Sequence, residues 1–316
     1  MADKKIIAVF GATGAQGGGL ARAILNDKNS EFSVRAITRD ANSDKAKELE
    51  KLGAEVVTAD IDDPASMKKA LAGAYGAYFV TFFWSHYSAE KETEEAKNMA
   101  AAAKEAGLKH VIWSTLEDTR TLVPLDDDRM PTLKEKYKVP HFDGKGEADH
   151  FFTDAGLPVT FLLASFYWDN LIYFGMGPKK DENGKYAFTL PMGKEKMAGI
   201  GADDIGKAAY GIFNKGTSLA GKRIGVAGDQ LTGDEMAEKL SKALGKEVYY
   251  NEITPETYRG FGFPGADDLG NMFQIYRDFA NECNSIRDVK YSKELNPELK
   301  SFEMWLSENA KKIPMD

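Results

Sequence analysis

The sequence contains one cysteine, Cys283, among 316 residues. A single cysteine cannot form an internal disulfide, which argues against a disulfide-stabilised secreted domain and predicts a reducing compartment. Long hydrophobic runs are missing as well: the longest near-apolar stretch, 74–84, has 11 residues, whereas a membrane-spanning helix needs about 20. The first residues lead into no small-residue cleavage site, so we expect no signal peptide, no membrane segment and a cytoplasmic protein.

Positive charge is in the minority, with 41 Lys and Arg against 49 Asp and Glu and a net charge of −8. The chain therefore lacks the basic surface expected of a general nucleic-acid binder. It also lacks a basic nuclear-localisation cluster, so residence in the nucleus would depend on partners or on diffusion. Four histidines without a paired ligand motif make a metal site unexpected. The length and composition are those of a globular protein of about two domains.

Short apolar runs alternate with longer amphipathic stretches over the first 115 residues. Continuous apolar strands that alternate with helices predict a parallel sheet covered on both faces, and right-handed crossovers make it doubly wound. We therefore predict an α/β fold with a Rossmann-type sheet. The predicted strands are 6–10, 34–38, 55–58, 77–81 and 110–113, and the predicted helices are 16–26, 43–52, 66–71 and 88–106.

The pattern changes after residue 115. Residues 116–140, rich in acidic residues and lysines, predict a long exposed loop, followed by a helix at 141–155 and a strand at 159–163. We predict a Rossmann domain over 1–164, to which a strand at 222–228 returns. A smaller, discontinuous α+β domain for a substrate or partner then occupies 165–316 and contains three further helices.

A glycine-rich turn, Gly11-Ala-Thr-Gly14-Ala-Gln-Gly17, directly follows the first strand and opens the first helix. In a dinucleotide-binding turn, such glycines allow a tight bend, a close approach of the backbone to the pyrophosphate and close packing of the helix. The helix N-terminus then offers N–H groups to the anion. The spacing is typical of short-chain dehydrogenases, although a purely structural turn stays open. The predicted cofactor contacts are Gly11, Thr13, Gly14, Ala15, Gln16 and Gly17.

Arg39 ends the second strand, where NAD-binding proteins usually carry an acidic residue for the ribose hydroxyl. An arginine there can form charge-assisted bonds to a 2′-phosphate, which predicts NADP or NADPH. Asp40 follows immediately and weakens this argument, and a solvated strand end is the alternative. We place Asp60 and Ile61 near the adenine, and Thr81 and Phe82 in the same crevice, although packing or capping would also explain these four residues.

The expected catalytic tyrosine is missing. Short-chain reductases place a tyrosine four residues before a lysine on the helix after the fifth strand, so that both reach the nicotinamide. Here that helix carries His141 and Lys145, while Ser114 supplies a hydroxyl at the strand end. His141 either donates a proton or is simply a polar residue at a helix start, and Lys145 can bind the nicotinamide ribose without turnover. Lys145, His141 and Ser114 are candidates only, and we expect no robust dehydrogenase activity.

Several motifs together resemble the NmrA-like family of atypical short-chain dehydrogenase relatives, and within it the human NADPH redox sensor of the HSCARG type. The resemblance covers nearly the whole chain and implies NADP(H) binding without the usual catalytic tyrosine. It also implies that the cofactor ratio is reported to protein partners, such as transcription regulators or metabolic enzymes, and it leaves a homodimer open. The motifs are Val9-Phe-Gly-Ala-Thr-Gly-Ala-Gln-Gly-Gly18, Val34-Arg-Ala-Ile-Thr-Arg39, Gly53-Ala-Glu-Val-Val57, His141-Phe-Asp-Gly-Lys-Gly-Glu147, Gly262-Phe-Pro-Gly-Ala-Asp267 and Asn271-Met-Phe273.

Three functional hypotheses follow. The first is an NADP(H)-binding redox sensor that acts through partners. The second is an NADPH-dependent reductase of quinone- or phenylpropanoid-like substrates that uses Lys145 without a tyrosine. The third, a scaffold with a vestigial site, requires that no dinucleotide binds. For the reductase, a substrate pocket would be walled by Phe166, Tyr167, Trp168 and Asn170, joined by Phe261, Phe263, Phe273 and Tyr276, although such aromatics are more often core residues.

We predict that Arg39→Ala shifts cofactor preference from NADP towards NAD. Loss of a charge-assisted hydrogen bond costs about 1.5–3 kcal/mol, which corresponds to roughly a tenfold to hundredfold change in the ratio of the two dissociation constants. Titration of the wild type and the variant with NADP and NAD measures that ratio, and an unchanged ratio would contradict the assignment.

Overall fold

The structure, a computed structural model, describes residues 4–315. Its first half alternates strand and helix, as the apolar pattern predicts. The elements are β1 (Lys5–Val9), α1 (Ala15–Asn26), β2 (Phe32–Thr38), α2 (Asp44–Lys51), β3 (Glu55–Thr58), α3 (Pro64–Leu71), β4 (Gly76–Phe79), α4 (Ala89–Ala106), β5 (His110–Thr115), α5 (Pro140–Asp154) and β6 (Val159–Leu163).

The second half mixes short strands with helices. Its elements are β7 (Phe166–Tyr167), α6 (Asn170–Tyr173), β8 (Lys179–Lys180), β9 (Tyr186–Leu190), β10 (Met197–Ile200), α7 (Ala202–Asn214), β11 (Arg223–Gly225), β12 (Asp229–Leu231), α8 (Gly233–Leu244), β13 (Val248–Glu252), α9 (Pro255–Arg259), α10 (Ala266–Asp278), α11 (Ala280–Ser285), α12 (Val289–Leu295) and α13 (Phe302–Asn309).

Seven parallel strands form one sheet in the order β11-β6-β5-β4-β1-β2-β3. Helices α1, α2, α7 and α12 supply the core on one face, and α3, α4 and α5 supply it on the other. The predicted Rossmann-type α/β fold is therefore confirmed. The strand order reverses between β1 and β4, and in such sheets ligands bind outside the carboxyl ends of the strands at that point.

Two three-stranded sheets, β12-β10-β7 and β13-β9-β8, share a second core with α8, α10 and α13. The residues from 229 to 315 contain six α-helices, so the expectation of three helices is wrong. Helices α9, α11 and α12 have only 5, 6 and 7 residues, too few for a helical period to show in the sequence.

Helix α7 packs against α1 on the large sheet, although the predicted division assigned residues 202–214 to the smaller domain. The two helices meet at glycines. A Cβ on Gly19 would lie 2.3 Å from the carbonyl oxygen of Asp203, and a Cβ on Gly206 would lie 2.2 Å from the backbone nitrogen of Leu20. The contact is therefore one of backbone against backbone.

The segment between β5 and α5 is packed rather than fully exposed. Lys134 and Lys136 are exposed as expected, but Lys138 is completely buried, so the expectation of an exposed loop is wrong there. Its ammonium donates to the carbonyl oxygens of Asp127 and Met130, at 2.6 and 2.8 Å. Main-chain acceptors can be buried in irregular structure when such donors satisfy them.

Helix α10 holds the same segment from the other side. Asn271 Nδ2 donates to the carbonyl oxygen of Lys138 at 2.6 Å, and Gln274 Nε2 donates to that of Arg129 at 2.9 Å. These contacts fasten the segment to the second half. Between residues 4 and 315, no helix is long and apolar enough to cross a bilayer.

We predict that Gly206→Ala destabilises the protein by about 1–3 kcal/mol, the usual cost of overpacking a tight contact. The loss should appear despite the higher helix propensity of alanine. The control is Gly18→Ala in α1, where the nearest atom to the new methyl is the mobile guanidinium end of Arg22, at 3.1 Å, with the Ala12 carbonyl oxygen at 3.2 Å. Denaturant unfolding measures both, and equal losses would contradict the assignment.

Candidate functional site

The three glycines of the turn between β1 and α1 stand where a side chain would be strained or would meet other atoms. Gly11 has a φ of +62°, in the left-handed region that favours glycine. The backbone N–H of Gly14 donates to the Gly11 carbonyl oxygen at 2.8 Å, and a Cβ on Gly17 would lie 2.5 Å from that same oxygen. Gly11, Gly14 and Ala15 are exposed, so the backbone of the turn is open to a ligand.

The N-terminus of α1 has neither a side-chain cap nor an acidic residue in its first turn. Helices α2, α3 and α4, in contrast, are capped by Ser43, Asp63 and Ser88. The first N–H groups of α1 thus keep the positive end of the helix dipole open, which is the arrangement that binds phosphate groups. Thr13, inside the turn, is half-buried.

Arg39 is exposed directly after β2. The Asp40 carboxylate, which weakened the sequence argument, is turned towards its own loop, where Oδ1 accepts a hydrogen bond from the Asn42 backbone N–H at 2.8 Å. The acidic side chain is therefore hydrogen-bonded within its own loop, and the Arg39 guanidinium, which makes no ion pair within residues 4–315, is exposed beside it at the strand end. This arrangement fits a 2′-phosphate better than a ribose hydroxyl.

The other four predicted cofactor contacts differ in exposure and in the contacts that they make within the protein. Asp60 makes local turn contacts, since its N–H donates to Ser66 Oγ and its Oδ1 accepts from the Asp62 N–H, both at 3.0 Å. Ile61 is half-buried against the apolar cluster of α3 and α4. The Phe82 side chain is 56% exposed beyond β4, whereas Thr81 next to it is buried in the centre of the site.

Gln16 points away from the cofactor turn and into the protein. Its Oε1 accepts from Ser114 Oγ at 2.8 Å and also from the Tyr78 hydroxyl, and its Nε2 donates to the Tyr167 hydroxyl. Burial raises the pKa of Tyr167 to about 12, so that hydroxyl stays protonated at neutral pH. The Ser114 hydroxyl, a candidate for catalysis, is therefore bound by an internal amide.

Lys145 lies in a buried, charged group with Glu92 and Thr81. The Lys145 ammonium is 3.0 Å from Glu92 Oε1 and donates to Thr81 Oγ1 at 2.6 Å. The Thr81 hydroxyl in turn donates to Glu92 Oε1 at 2.6 Å. Glu92 is completely buried, and the ammonium lies 5.2 Å from the centre of the Trp113 ring. The lysine is thus fixed at the carboxyl ends of β4 and β5.

His141 is paired with Asp268 from the second half of the chain. Its Nδ1 is 2.6 Å from Asp268 Oδ1, and its backbone N–H donates to Asp268 Oδ2 at 3.2 Å. The imidazole packs on Trp84 and Phe83, with ring centres 4.9 and 5.8 Å away. An Nδ1–H donated to a carboxylate leaves Nε2 as the nitrogen that can exchange a proton with a ligand.

Glu92 and Asp268 were not found by the sequence analysis. A signal for Glu92 was present in the sequence. Glu92 falls on the buried face of α4, where all the other buried residues are alanine or methionine. An acidic residue on such a stripe indicates a buried partner. For Asp268, 127 residues from its partner, no periodicity links the two.

The predicted substrate pocket is only partly assembled. Trp168 lies in the second core against Phe302 and Trp305, and Phe166 packs near Phe273, so these two rings serve packing. Tyr167 alone reaches the cofactor turn, through Gln16. Asn170 begins α6 and is half-buried.

Aromatic rings also lie on the two loops that meet near His141, one after β4 and one before α10. We call Trp84, Tyr87 and Phe263 the aromatic rim. Tyr87 and Phe263 are 42% and 39% exposed. A Cβ on Gly265 would lie 2.9 Å from Trp84 and 3.5 Å from Tyr87, which shows that the loop carrying Phe263 meets the segment after β4. The rim therefore joins both halves of the protein above the histidine.

A sequence profile of the NmrA-like family matches residues 3–306. FrzB of Cladobotryum, an NmrA-like family domain-containing oxidoreductase, is 33% identical over 289 residues, which cover 85% of this chain and 82% of FrzB. Both matches extend over most of the chain, and the family match includes the glycine turn, Lys145 and α10.

Solved structures share the architecture. NmrA, a negative transcriptional regulator solved in complex with NADP, superposes with a TM-score of 0.77 at 23% identity and covers 97% of this chain and 95% of its own. The Citrobacter triphenylmethane reductase complexed with NADP(H) gives 0.73 at 20% identity, with 97% and 99% covered. At these identities the likeness establishes the fold.

We predict that Glu92→Gln lowers the free energy of unfolding by about 3 kcal/mol or more, because it leaves the buried Lys145 charge without its counter-ion. The matched control is Glu94→Gln on the same helix, since the Glu94 side chain is 62% exposed and its loss should stay within about 0.5 kcal/mol. Denaturant unfolding of both variants checks this, and a Glu92→Gln variant as stable as the control would contradict it.

Proposed function

The chain belongs to the NmrA-like family, and we propose that it is an NADP(H)-binding regulatory protein that reports the redox state of the cofactor to protein partners. We further propose that, within the family, it is similar to the HSCARG type of redox sensor. The partners proposed are transcription regulators or metabolic enzymes, or a second copy of this chain. The proposed place of action is the cytoplasm, with entry to the nucleus through partners.

NADP(H) binding is supported by the open end of α1. The uncapped helix, the bare glycine turn and Arg39 fit, respectively, the negative charge, the close approach and the 2′-phosphate of this cofactor. We assign the pyrophosphate to the backbone of Gly11 to Ala15, the 2′-phosphate to Arg39 and the nicotinamide ribose to Lys145. The structurally similar NmrA has been solved in complex with NADP and, separately, with NAD.

The regulatory role rests on one observation: the polar groups that would perform catalysis in a short-chain reductase are already bound within the protein. The tyrosine is replaced by His141, the Ser114 hydroxyl is taken by Gln16, and the Lys145 ammonium by Glu92 and Thr81. His141 is hydrogen-bonded to Asp268 of α10. A ligand that binds here touches elements of both halves, so oxidised and reduced cofactor can favour different conformations.

A second candidate function, reduction of a flat aromatic substrate, is favoured by the His141–Asp268 pair beneath the aromatic rim. His141 and Lys145 stand four residues apart on α5 and thus share one helix face. His141 Nε2 would hold a proton for a substrate oxygen, while Asp268 fixes the ring. NADPH, when bound, would supply the hydride. The structurally similar Citrobacter protein is a reductase of triphenylmethane dyes.

The sensor proposal is tested by hydrogen exchange on the protein saturated with NADP or with NADPH. We expect different exchange rates in residues 82–87 and 260–268, which flank His141 from the two halves, because a sensor requires different conformations for the two ligands. Residues 110–115 of the central strand β5 serve as the internal control. Identical exchange with the two cofactors, both bound at saturation, would contradict redox sensing.

The same preparations distinguish the reductase. NADPH absorbance is followed with quinones, aromatic aldehydes and phenylpropanoid ethers, using wild type and the double variant Glu92→Gln, Lys145→Met, which removes both charges of the buried pair. Turnover of about 1–1000 per second, lost in the variant and strongly reduced in His141→Gln, would favour the reductase. Retained turnover in both variants would exclude these residues as its basis.

A further inference from the structure

A group of titratable side chains lies next to Lys145, and two of its members, Glu95 and His86, have no role in the site as described above. It comprises Glu92, Glu95 and His86, and we call it the acid cluster. Two of its atoms, Glu92 Oε2 and His86 Nε2, are buried and have no hydrogen-bond partner within residues 4–315. Buried polar atoms are almost always paired, so these two atoms beside Lys145 make the cluster a candidate for a further role.

The geometry links the three residues. Glu92 and Glu95 are three residues apart on α4 and therefore neighbours on its surface. His86 Nε2 lies 3.9 Å from Glu95 Oε2, a separation that a water molecule can bridge. The side chains of His86 and Glu95 are only 20% and 15% exposed. The cluster thus extends from the buried Lys145 towards the surface.

The charges around Glu95 are mostly compensated by others. Glu92 is neutralised by Lys145 from α5. Asp62, from the loop before α3, is 2.6 Å from Lys91, which is also 3.2 Å from Glu94. His86 is the remaining group that faces Glu95, and burial lowers the pKa of its imidazole, which keeps it neutral at pH 7. The charge of the cluster therefore depends on whether Glu95 carries a proton.

Burial and the neighbouring Glu92 raise the pKa of Glu95 to about 7 from an ordinary 4.5. The carboxyl is thus protonated and neutral at pH 6, and ionised at pH 8. Since the Lys145–Glu92 pair sums to zero, the net charge of the pair and Glu95 changes from 0 to −1 over this range.

We propose that Glu95 is a specificity-determining residue whose protonation state sets the relative affinity of the site for oxidised and reduced cofactor. This rests on the proposed function, in which Lys145 holds the nicotinamide ribose. The oxidised nicotinamide ring is a cation, whereas the reduced ring is neutral. An ionised Glu95 therefore stabilises the oxidised form selectively, and a protonated Glu95 removes that preference.

Linkage gives the reciprocal effect. If loss of a proton from Glu95 strengthens binding of the oxidised form, then the oxidised form must promote loss of that proton to the same extent. Exchange of bound NADPH for NADP near pH 7 therefore releases protons to solvent. Acidification shifts the protein towards its reduced-cofactor state, so the redox signal depends on pH.

The experiment measures dissociation constants of NADP and NADPH at pH 6 and pH 8 by calorimetry. In the wild type, we expect the ratio of the NADP constant to the NADPH constant to fall by about fivefold or more on raising the pH, a typical coupling between two sites. Both cofactors carry the same 2′-phosphate, so its own titration cancels in the ratio. Glu95→Gln should make the ratio independent of pH, and Glu94→Gln should behave as the wild type.

The outcomes separate this inference from the proposed function. Failure of both cofactors to bind at either pH would overturn the proposed function itself. Tight binding with a ratio that is constant in the wild type, or that changes equally in Glu95→Gln, would overturn the role of Glu95 alone. A pH dependence that survives in Glu95→Gln but is lost in His86→Gln would assign the effect to the histidine instead.

A measurement on the wild type needs no variant. Protein saturated with NADPH in weakly buffered solution at pH 7 is mixed with excess NADP, and an indicator dye follows the pH. We expect proton release in proportion to the protein, beyond that of a blank without protein. Absence of release, with the exchange of cofactor confirmed by NADPH fluorescence, would overturn the inference.

Discussion

The backbone of α1 is in contact with other backbone on two sides, and this constraint determines the position of the candidate site. At Gly17 the helix lies against the turn that precedes it, and at Gly19 it lies against α7. A Cβ at these positions would be only 2.5 Å and 2.3 Å from a backbone carbonyl oxygen. No side chain separates these elements, so the open end of α1 has little freedom to move. Gln16 immediately precedes Gly17 in this fixed first turn, and its side chain is hydrogen-bonded to Tyr78, Ser114 and Tyr167.

The parts of this site that follow from local spacing could be predicted from the sequence. The glycine turn, the end of β2 at Arg39 and the histidine–lysine pair on α5 lie within short segments whose period or motif fixes their geometry. Asp268 and Trp168 could not be placed in this way. Their neighbours come from distant segments, since Asp268 meets His141 and Trp168 meets Phe302, and apolar or acidic character alone does not say which core or cleft a side chain enters.

The centre of the site combines a buried ion pair with internal hydrogen bonds, and this combination favours a binding role. Lys145 is well positioned because its ammonium already has a carboxylate and a hydroxyl as partners. The carboxylate also offsets most of the positive charge that the ammonium could offer to a reacting group. Buried pairs of this kind contribute little net stability, because desolvation offsets the attraction. What Glu92 does provide is a fixed orientation of Lys145, and its negative charge adds to the effect of burial in raising the pKa of Glu95.

The protein has a larger half, built on the seven-stranded sheet, and a smaller half, built on the two three-stranded sheets and their helices. The chain passes between them after β6, after β10, after β11, and on either side of α12. The smaller half is therefore built from at least three separate segments, and two of them, β7–β10 and β12–α11, are joined to the larger half at both ends. Exchange of this half between relatives by a single crossover would separate α7 and α12 from the sheet on which they pack. A working chimaera must instead replace all of the segments together. It must also keep the contact between Asp268 of the smaller half and His141 of the larger one.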